Sequence, residues 1–237
     1  MQLLGPEQQD IAEEIDVLIR MLPFDGARVL ELGCGAADKT RQIAELTGVQ
    51  EIVAAEVDQI QHAKNLAITD LPKVTFTSFG AEAIDAPDNS FDIVLMFKSL
   101  HHVPLPMMDQ GLQEIRRVLK PGGYAYISEP VFAGEFNEVI RLFHDESAVR
   151  QAAFDAVAKA VDDDVLELRE EYFFKNVVRL QHFGQFEKGI LNATFMDHQV
   201  DDDLLAQVRQ RFESYGSPEG YVFEVPNRVD LLRKPAA

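Results

Sequence analysis

The chain has 237 residues, of which 46% are hydrophobic, and this is enough to bury one sizeable core. Its formal net charge of −18 makes nucleic acid and anionic membrane surfaces unlikely partners, since both repel an acidic protein. A single cysteine, Cys34, excludes an internal disulfide, and neither a signal peptide nor an apolar run of about 18 residues is present, so we expect a cytoplasmic protein.

The hydrophobic pattern predicts that helices and strands alternate through the first half of the chain. The expected elements are a helix over 8–22, strands near 28–32, 51–56, 73–77, 92–97 and 123–128, and helices near 38–47, 59–69 and 107–119. Such alternation predicts a parallel sheet with helices on both faces. Ligands in such sheets bind beyond the carboxyl ends of the strands.

The pattern changes after Pro130. The expected elements are a helical stretch over 134–175, a strand over 189–200, a helix over 201–215 and closing strands over 221–233. The pattern leaves open whether 221–233 is a hairpin or one strand broken at Pro226. Two acidic runs, 162–164 and 201–203, lack the glycine and ligand spacing of a calcium loop, and we expect no metal site.

The most informative segment is residues 30–40, which read LELGCGAADKT. A predicted strand ends in an acid, Glu31, and a turn with Gly33 and Gly35 leads into a helix. Glycines in such a turn let the backbone approach a ligand closely. A second apolar run, EIVAAE at 51–56, also ends in an acid, Glu56.

Two further motifs follow, PDNSFDIVLMFKSLHHV at 87–103 and LKPGGYAYISEP at 119–130. With these four motifs in this order, the chain resembles a class I S-adenosylmethionine-dependent methyltransferase of the small-molecule, type-11-like group. The resemblance covers roughly residues 25–130. It implies a Rossmann-like, seven-stranded, mostly parallel α/β sheet with helices on both faces and a helical cap inserted after the fifth strand.

The resemblance also implies one methyltransferase domain over residues 1–237. Its expected parts are an N-terminal helical segment (1–24), a cofactor-binding core (25–130), a helical cap or substrate region (131–190) and a C-terminal part that closes the sheet (191–237). The expected cofactor is S-adenosyl-L-methionine, and the expected partner is a small-molecule methyl acceptor.

Under this resemblance, the backbone of Gly33, Cys34 and Gly35 passes beneath the methionine part of the cofactor. Glu31 reaches its amino group, as an anion facing an ammonium. Ala37 stands where the family usually has a third glycine.

Glu56 is the expected acceptor for the two ribose hydroxyls, with Asp58 as the alternative, and Val57 follows Glu56 in the same site. Gly80 stands where the family often has an aspartate that bonds the adenine. The amide of Ala81 or the carboxylate of Glu82 is then the replacement. Phe97, at the end of the fourth predicted strand, is expected near the sulfonium.

Three residues are candidates for catalysis: His101, His102 and Glu129. Methyl transfer from a sulfonium is an in-line displacement, so the protein mainly aligns the reactants and excludes water. A base is needed only when the acceptor must lose a proton, and either histidine could accept it. Glu129 could orient an acceptor amine or hydroxyl.

Two alternative functions remain open at the level of sequence. One is a transferase or synthase that uses a modified sulfonium cofactor on the same fold. The other is a nucleotide-binding protein that has lost catalysis. The sequence leaves the acceptor, the methylated atom and the oligomeric state undecided.

Overall fold

The computed structural model describes residues 1–191 and 200–236. The strands of its single sheet are β1 (Asp10–Ile11), β2 (Arg28–Leu32), β3 (Glu51–Ala55), β4 (Val74–Thr77), β5 (Phe91–Phe97), β6 (Leu119–Pro130), β7 (Glu167–Leu180) and β8 (Tyr221–Arg233). The helices are α1 (Glu14–Met21), α2 (Asp38–Leu46), α3 (Gln59–Asn65), α4 (Met108–Val118), α5 (Glu135–Ile140), α6 (Ser147–Asp162), α7 (Phe183–Phe186) and α8 (Asp202–Glu213).

The strand order is β1-β7-β8-β6-β5-β2-β3-β4, and every neighbouring pair is parallel except those made by β8. Two hydrophobic clusters cover the faces of the sheet, one under α4 and α6 and the other under α1 and α2. These features confirm the predicted mostly parallel α/β architecture with helices on both faces. Among the described residues, no helix has the length and apolar character needed to cross a bilayer.

The N-terminal edge of the sheet differs from the prediction, because the sheet has eight strands rather than seven. The predicted helix over 8–22 begins only at Glu14, and the preceding residues form β1. Asp10 pairs with Phe174 of β7, so this short strand extends the sheet at its edge. Helical spacing of apolar residues cannot reveal such pairing, because the partner lies far away in the sequence.

The predicted helical stretch over 134–175 is correct for α5 and α6 but wrong from Glu167 onward, where β7 begins. The segment ELREEYFF contains residues that favour helices, yet β7 pairs with β8 along almost its whole length. Strand preference depends strongly on context, and this pairing outweighs the local propensity. The C-terminal half of the predicted cap region therefore belongs to the sheet.

Two other predictions concern the C-terminal part. Residues 189–191 belong to a π-helical turn, Glu187–Leu191, so the strand predicted over 189–200 is wrong there. Residues 192–199 lie outside the described residues. The helix predicted over 201–215 is confirmed as α8, and residues 221–233 form one strand, β8.

β8 continues through Pro226, and the position of this proline relative to β6 explains why. Its carbonyl accepts a hydrogen bond from the amide of Val131, just beyond the end of β6, so its ring nitrogen faces the same side. Pairing of β8 with β6 starts only at Asn227. The missing amide hydrogen therefore interrupts no ladder bond, which is how a proline fits into a strand.

Candidate functional site

The glycine turn after β2 is held against the end of β3. The amides of Gly33 and Cys34 donate hydrogen bonds of 2.9 and 3.0 Å to the carbonyl of Ala55. Both glycines have positive φ, +74° at Gly33 and +52° at Gly35. A Cβ on Gly33 would lie 2.7 Å from the Cβ of Ser99, whereas no described atom lies within 4 Å of a Cβ on Gly35. The open side of the turn is therefore at Gly35.

Glu56, directly after β3, closes onto this turn. Its side chain is buried, and its two carboxylate oxygens accept hydrogen bonds from the amides of Gly35 (2.8 Å) and Asp58 (2.9 Å). A carboxylate offers about four acceptor positions, so two remain for hydroxyl donors. Asp58 instead accepts from the amide of Ile60 at 2.8 Å and caps α3. This geometry favours Glu56 over Asp58 as the ribose acceptor.

An exposed apolar side chain lies next to this carboxylate. Val57 follows Glu56 and is 59% exposed. A flat apolar group such as a nucleobase could cover it. Val57 therefore suits the cofactor site in which the sequence places it.

Glu31 lies at the carboxyl end of β2, almost completely buried. One of its oxygens accepts a 2.6 Å hydrogen bond from the hydroxyl of Thr40. Burial raises the pKa of Glu31 to about 7, and the hydrogen bond from Thr40 opposes that rise only in part. A buried carboxyl in this state is stabilised in its ionised form by a nearby cation. Glu31 therefore suits an ammonium group placed over the turn.

Cys34 and Ala37 complete the turn with their backbone. The Cys34 side chain is buried, and its sulfur lies 3.5 Å from the amide nitrogen of the Asn65 side chain. It thus offers a ligand only its backbone. Ala37, where the third glycine was expected, has a φ of +64°, a conformation that glycine adopts more easily than alanine.

The loop after β4 brings Gly80, Ala81 and Glu82 together. Both carboxylate oxygens of Glu82 occupy the place where a side chain on Gly80 would begin. Glu82 therefore puts a carboxylate close to where an aspartate at residue 80 would carry its own. Ala81 is buried, and Phe97 ends β5 with its ring 5.7 Å from that of Tyr126.

The three predicted catalytic residues meet at the carboxyl ends of β5 and β6. A short helical turn over Leu100–His102 follows β5, and the amide of Leu100 donates a 2.9 Å hydrogen bond to Glu129. The other oxygen of Glu129 bonds Nδ1 of His101, and both side chains are buried. His102 is exposed, with its ring centroid 4.1 Å from that of His101.

Three residues of this site were missed by the sequence analysis: His144, Glu146 and Arg150. One oxygen of Glu146 lies 3.6 Å from Nε2 of His101 and 2.9 Å from Nε2 of His144, and the other lies 2.6 Å from Arg150. The sequence shows only that Glu146 and Arg150 are spaced to pair along a helix. Nothing in it connects the start of α6 with the end of β5.

The electrostatics of the two neighbouring histidines differ. Burial would lower the pKa of His101, but hydrogen bonds to Glu129 and Glu146 outweigh it and raise that pKa to about 9. Although His102 is exposed as a residue, partial burial of its ring, together with the adjacent His101, lowers its pKa. Both ring nitrogens of His101 thus face carboxylates, while His102 faces solvent.

Comparison with known proteins fits this geometry. Residues 29–123 match the family model of a methyltransferase domain. This segment is a methyltransferase domain. The matched range contains the glycine turn, Glu56, the loop around Gly80 and both histidines. The S-adenosylmethionine-dependent family named from the four motifs is therefore confirmed for this domain.

Two curated relatives and one solved structure illustrate the likeness of the methyltransferase domain. The chain is 33% identical over 117 residues to sterol 24-C-methyltransferase of Yarrowia lipolytica, covering 48% of this chain and 30% of the relative. It is 32% identical over 125 residues to the ubiquinone/menaquinone biosynthesis C-methyltransferase of Hahella chejuensis, covering 51% of this chain and 49% of the relative. The chain thus spans half or less of the length of these relatives.

A candidate methyltransferase structure from Bacillus halodurans has a TM-score of 0.66 and 18% identity, covering 94% of this chain and 99% of that one. At this identity the match shows the fold. The likeness extends beyond the matched domain to the C-terminal strands that the family model leaves out.

Proposed function

We propose that this protein transfers a methyl group from S-adenosyl-L-methionine to a small-molecule acceptor. The observation that carries the proposal is the carboxylate of Glu56 closing on the amide of Gly35, where the turn faces open space. This arrangement combines a ribose acceptor with a backbone cradle. Glu31 at the turn provides the anion for the ammonium of the cofactor.

The remaining cofactor contacts are proposed on the same basis. The backbone of Gly33 and Cys34 supports the methionine part, and Phe97 lies towards the sulfonium. The adenosine part is assigned to Val57, Gly80, Ala81 and Glu82. When bound, the cofactor supplies an electrophilic methyl group, and these residues orient it.

The proposed catalytic contribution of the protein is alignment of the reactants. His101 and Glu129 form a buried wall beyond the carboxyl ends of β5 and β6. His102, beside them and exposed, is the group available to contact an acceptor. Holding the acceptor in line with the methyl group lowers the entropic part of the barrier.

A cleft of about 590 Å³ is the proposed entrance for the acceptor, although its lining contains neither the glycine turn nor the histidines. It lies between residues 4–9 and the chain around Val131, directly after β6, and includes Lys175 of β7. Its other apolar and charged lining residues include Leu4, Pro6, Glu7, Val222 and Pro226. Such a mixed lining suits a largely apolar acceptor with a polar group.

The names of the two relatives refer to carbon methylation of a sterol and in quinone biosynthesis. We infer by this likeness that a carbon atom of an apolar small molecule is the acceptor class to test first. A cytoplasmic location stays a prediction from the single cysteine.

The first experiment measures ligand identity and affinity. Mass spectrometry of ligand released from the purified protein, with calorimetric titration of S-adenosylmethionine, should show this cofactor or S-adenosylhomocysteine bound at one site. A bound carboxylated sulfonium analogue would favour a transferase that uses a modified sulfonium cofactor. A bound nicotinamide nucleotide would contradict both this alternative and the proposed methyltransferase. Transfer of isotope-labelled methyl to a panel of sterol and quinone precursors then separates an active enzyme from a binding protein.

A further inference from the structure

Three of the six histidines of the chain gather at one point beyond the sheet. His101 and His102 come from the turn after β5, and His144 lies just before α6 together with Glu146. One ligand atom from each of His101, His102 and Glu146 lies within 4.8 Å of the others. Among residues 1–191 and 200–236, no other group of three such side chains meets this criterion.

The spacing of these atoms is close to that of a metal site. Tetrahedral Zn²⁺ with bonds of about 2.0–2.2 Å places neighbouring ligand atoms roughly 3.3–3.5 Å apart. Nε2 of His101 lies 3.6 Å from the nearer oxygen of Glu146. The ligand nitrogen of His102 lies within 4.8 Å of the other two atoms, and its movement inward would complete a set of two imidazoles and one carboxylate.

The atoms that face away from this point are already bonded. Nδ1 of His101 bonds Glu129, and that carboxylate is itself held by the amide of Leu100. The outer oxygen of Glu146 accepts from Arg150 at 2.6 Å. Metal-binding histidines typically donate their second ring nitrogen to a carboxylate, and metal-binding carboxylates are typically hydrogen-bonded in turn.

We propose that His101, His102 and Glu146 bind one divalent transition-metal ion, and Zn²⁺, which other proteins hold with two histidines and one glutamate, is the ion to test first. From the sequence we expected no metal site, because the two acidic runs lack the spacing of a calcium loop. Glu146 lies far along the chain from the adjacent His101 and His102. Glu129 and Glu146 face the two ring nitrogens of His101, and an ion bound at Nε2 would replace the proton that this nitrogen shares with Glu146.

The proposed ion has a position open to a further ligand. His102 is exposed, so solvent reaches this side of the cluster, and a three-ligand zinc site with an open position is the pattern of catalytic rather than structural zinc. Ser99, two residues before His101, packs against Gly33 of the cofactor turn. If the proposed methyl transfer holds, the ion would hold an oxygen of the acceptor beside the cofactor.

Zinc binding is measured without any methyl acceptor. Protein freed of metal with a chelator is titrated with ZnCl₂ by calorimetry, and Co²⁺ absorption reports the coordination. One equivalent should bind. Glu129→Gln should weaken binding about 10- to 100-fold, as for other residues that orient a ligand. His102→Ala and Glu146→Gln, which remove ligands, should weaken binding at least as much.

His182→Ala is the matched control, because His182 is exposed and lies outside the cluster. It should bind Zn²⁺ like the unmodified protein, and circular dichroism checks that each variant is folded. Absence of saturable binding, or equal affinities in His182→Ala and His102→Ala, would overturn the proposal. Titration of S-adenosylmethionine on the same samples tests the proposed function separately, since its failure leaves the zinc result intact.

Discussion

Glu56 links two parts of the proposed cofactor site. Its carboxylate accepts a hydrogen bond from the glycine turn and is proposed to accept others from the ribose hydroxyls. Each of its carboxylate oxygens already accepts a hydrogen bond from a backbone amide. These bonds fix the orientation of the carboxylate before any ligand arrives. A preoriented acceptor loses less entropy when the ligand binds.

Replacing Glu56 by Ala should lower the affinity for S-adenosylmethionine about 10- to 150-fold, since hydrogen bonds to charged groups contribute about 1.5–3 kcal/mol. Calorimetry measures this change. The matched control is Asp58→Ala, which removes the cap of α3 and should cost about 0.5–2 kcal/mol of stability, with little change in affinity. If Asp58→Ala lowers the affinity and Glu56→Ala does not, Asp58 is the ribose acceptor.

If Glu31 faces the ammonium as proposed, cofactor affinity should depend on pH. Burial raises its pKa to about 7, and a bound ammonium would lower it again, so binding releases a proton below that pH. Affinity should therefore increase from pH 5.5 to pH 7, by at most about tenfold per unit for one proton. Calorimetry across this range should show the increase, and Glu31→Gln should abolish it. An equal pH dependence in both proteins would show that Glu31 does not face the ammonium.

At the scale of elements, the turn between β2 and α2 depends on two glycines for different reasons. Gly33 has no room for a side chain because Ser99 lies beside it, whereas Gly35 faces open space. The same turn is tied to β3 through Ala55 and to α3 through Asn65, which donates to the carbonyl of Gly35 at 2.8 Å. Within this one turn, Gly33 is therefore needed for packing, and Gly35 leaves space for a ligand.

Gly33→Ala should destabilise the protein by about 2–4 kcal/mol, from a strained positive φ and overpacking against Ser99. Denaturant unfolding measures the loss, and Ser99→Gly in the same protein should recover part of it. Gly35→Ala should cost only about 1–2 kcal/mol for its positive φ and should instead weaken cofactor binding. Equal effects of the two variants on both stability and affinity would contradict this division of roles.

Beta-strand β7 shows how an element can form against its local sequence. Its first residues are largely charged, and their pattern resembled a helix. Pairing with β8 runs from Glu167 to Leu180, with one irregularity between Leu168 and Glu170. Because β8 also pairs with β6, this antiparallel pair joins β7 to the core sheet. The helical cap after β6 is consequently limited to α5 and α6 before the chain returns to the sheet.

At the scale of the whole molecule, a third hydrophobic cluster lies apart from the two that cover the sheet. It joins α5, α7, α8 and the first part of β8. Phe212 is completely buried at its centre, with its ring 5.1 Å from Phe186 and 5.6 Å from Phe223. Much of the aromatic content of the C-terminal half is used for this packing.

Phe212→Ala should destabilise the protein by about 3–5 kcal/mol, since it removes a large buried ring and leaves a cavity. Denaturant unfolding followed by fluorescence and circular dichroism measures the loss. The matched control is Val222→Ala, at a residue that is 42% exposed, and it should have a much smaller effect. If both variants unfold alike, the cluster does not stabilise the fold.

The sequence by itself determined the cofactor half of the molecule. Strands ending in acids and a turn with two glycines are local signals, readable within about ten residues of one another. They predicted β2 to β6 and the positions of Glu31 and Glu56 at strand ends. Backbone conformation and strand burial impose these patterns wherever such a unit folds.

Only the tertiary structure decided the histidine–glutamate cluster, the edge strand β1 and the extent of β7. Glu129 reaches His101 across 28 positions of the chain, and Glu146 arrives on a different element again. The edge strand β1 and the length of β7 likewise depend on partners far along the chain. Sequence patterns record which face of an element is apolar, but long-range contacts depend on how whole elements pack. The histidine–glutamate cluster could therefore be recognised only once β5, β6 and α6 were assembled.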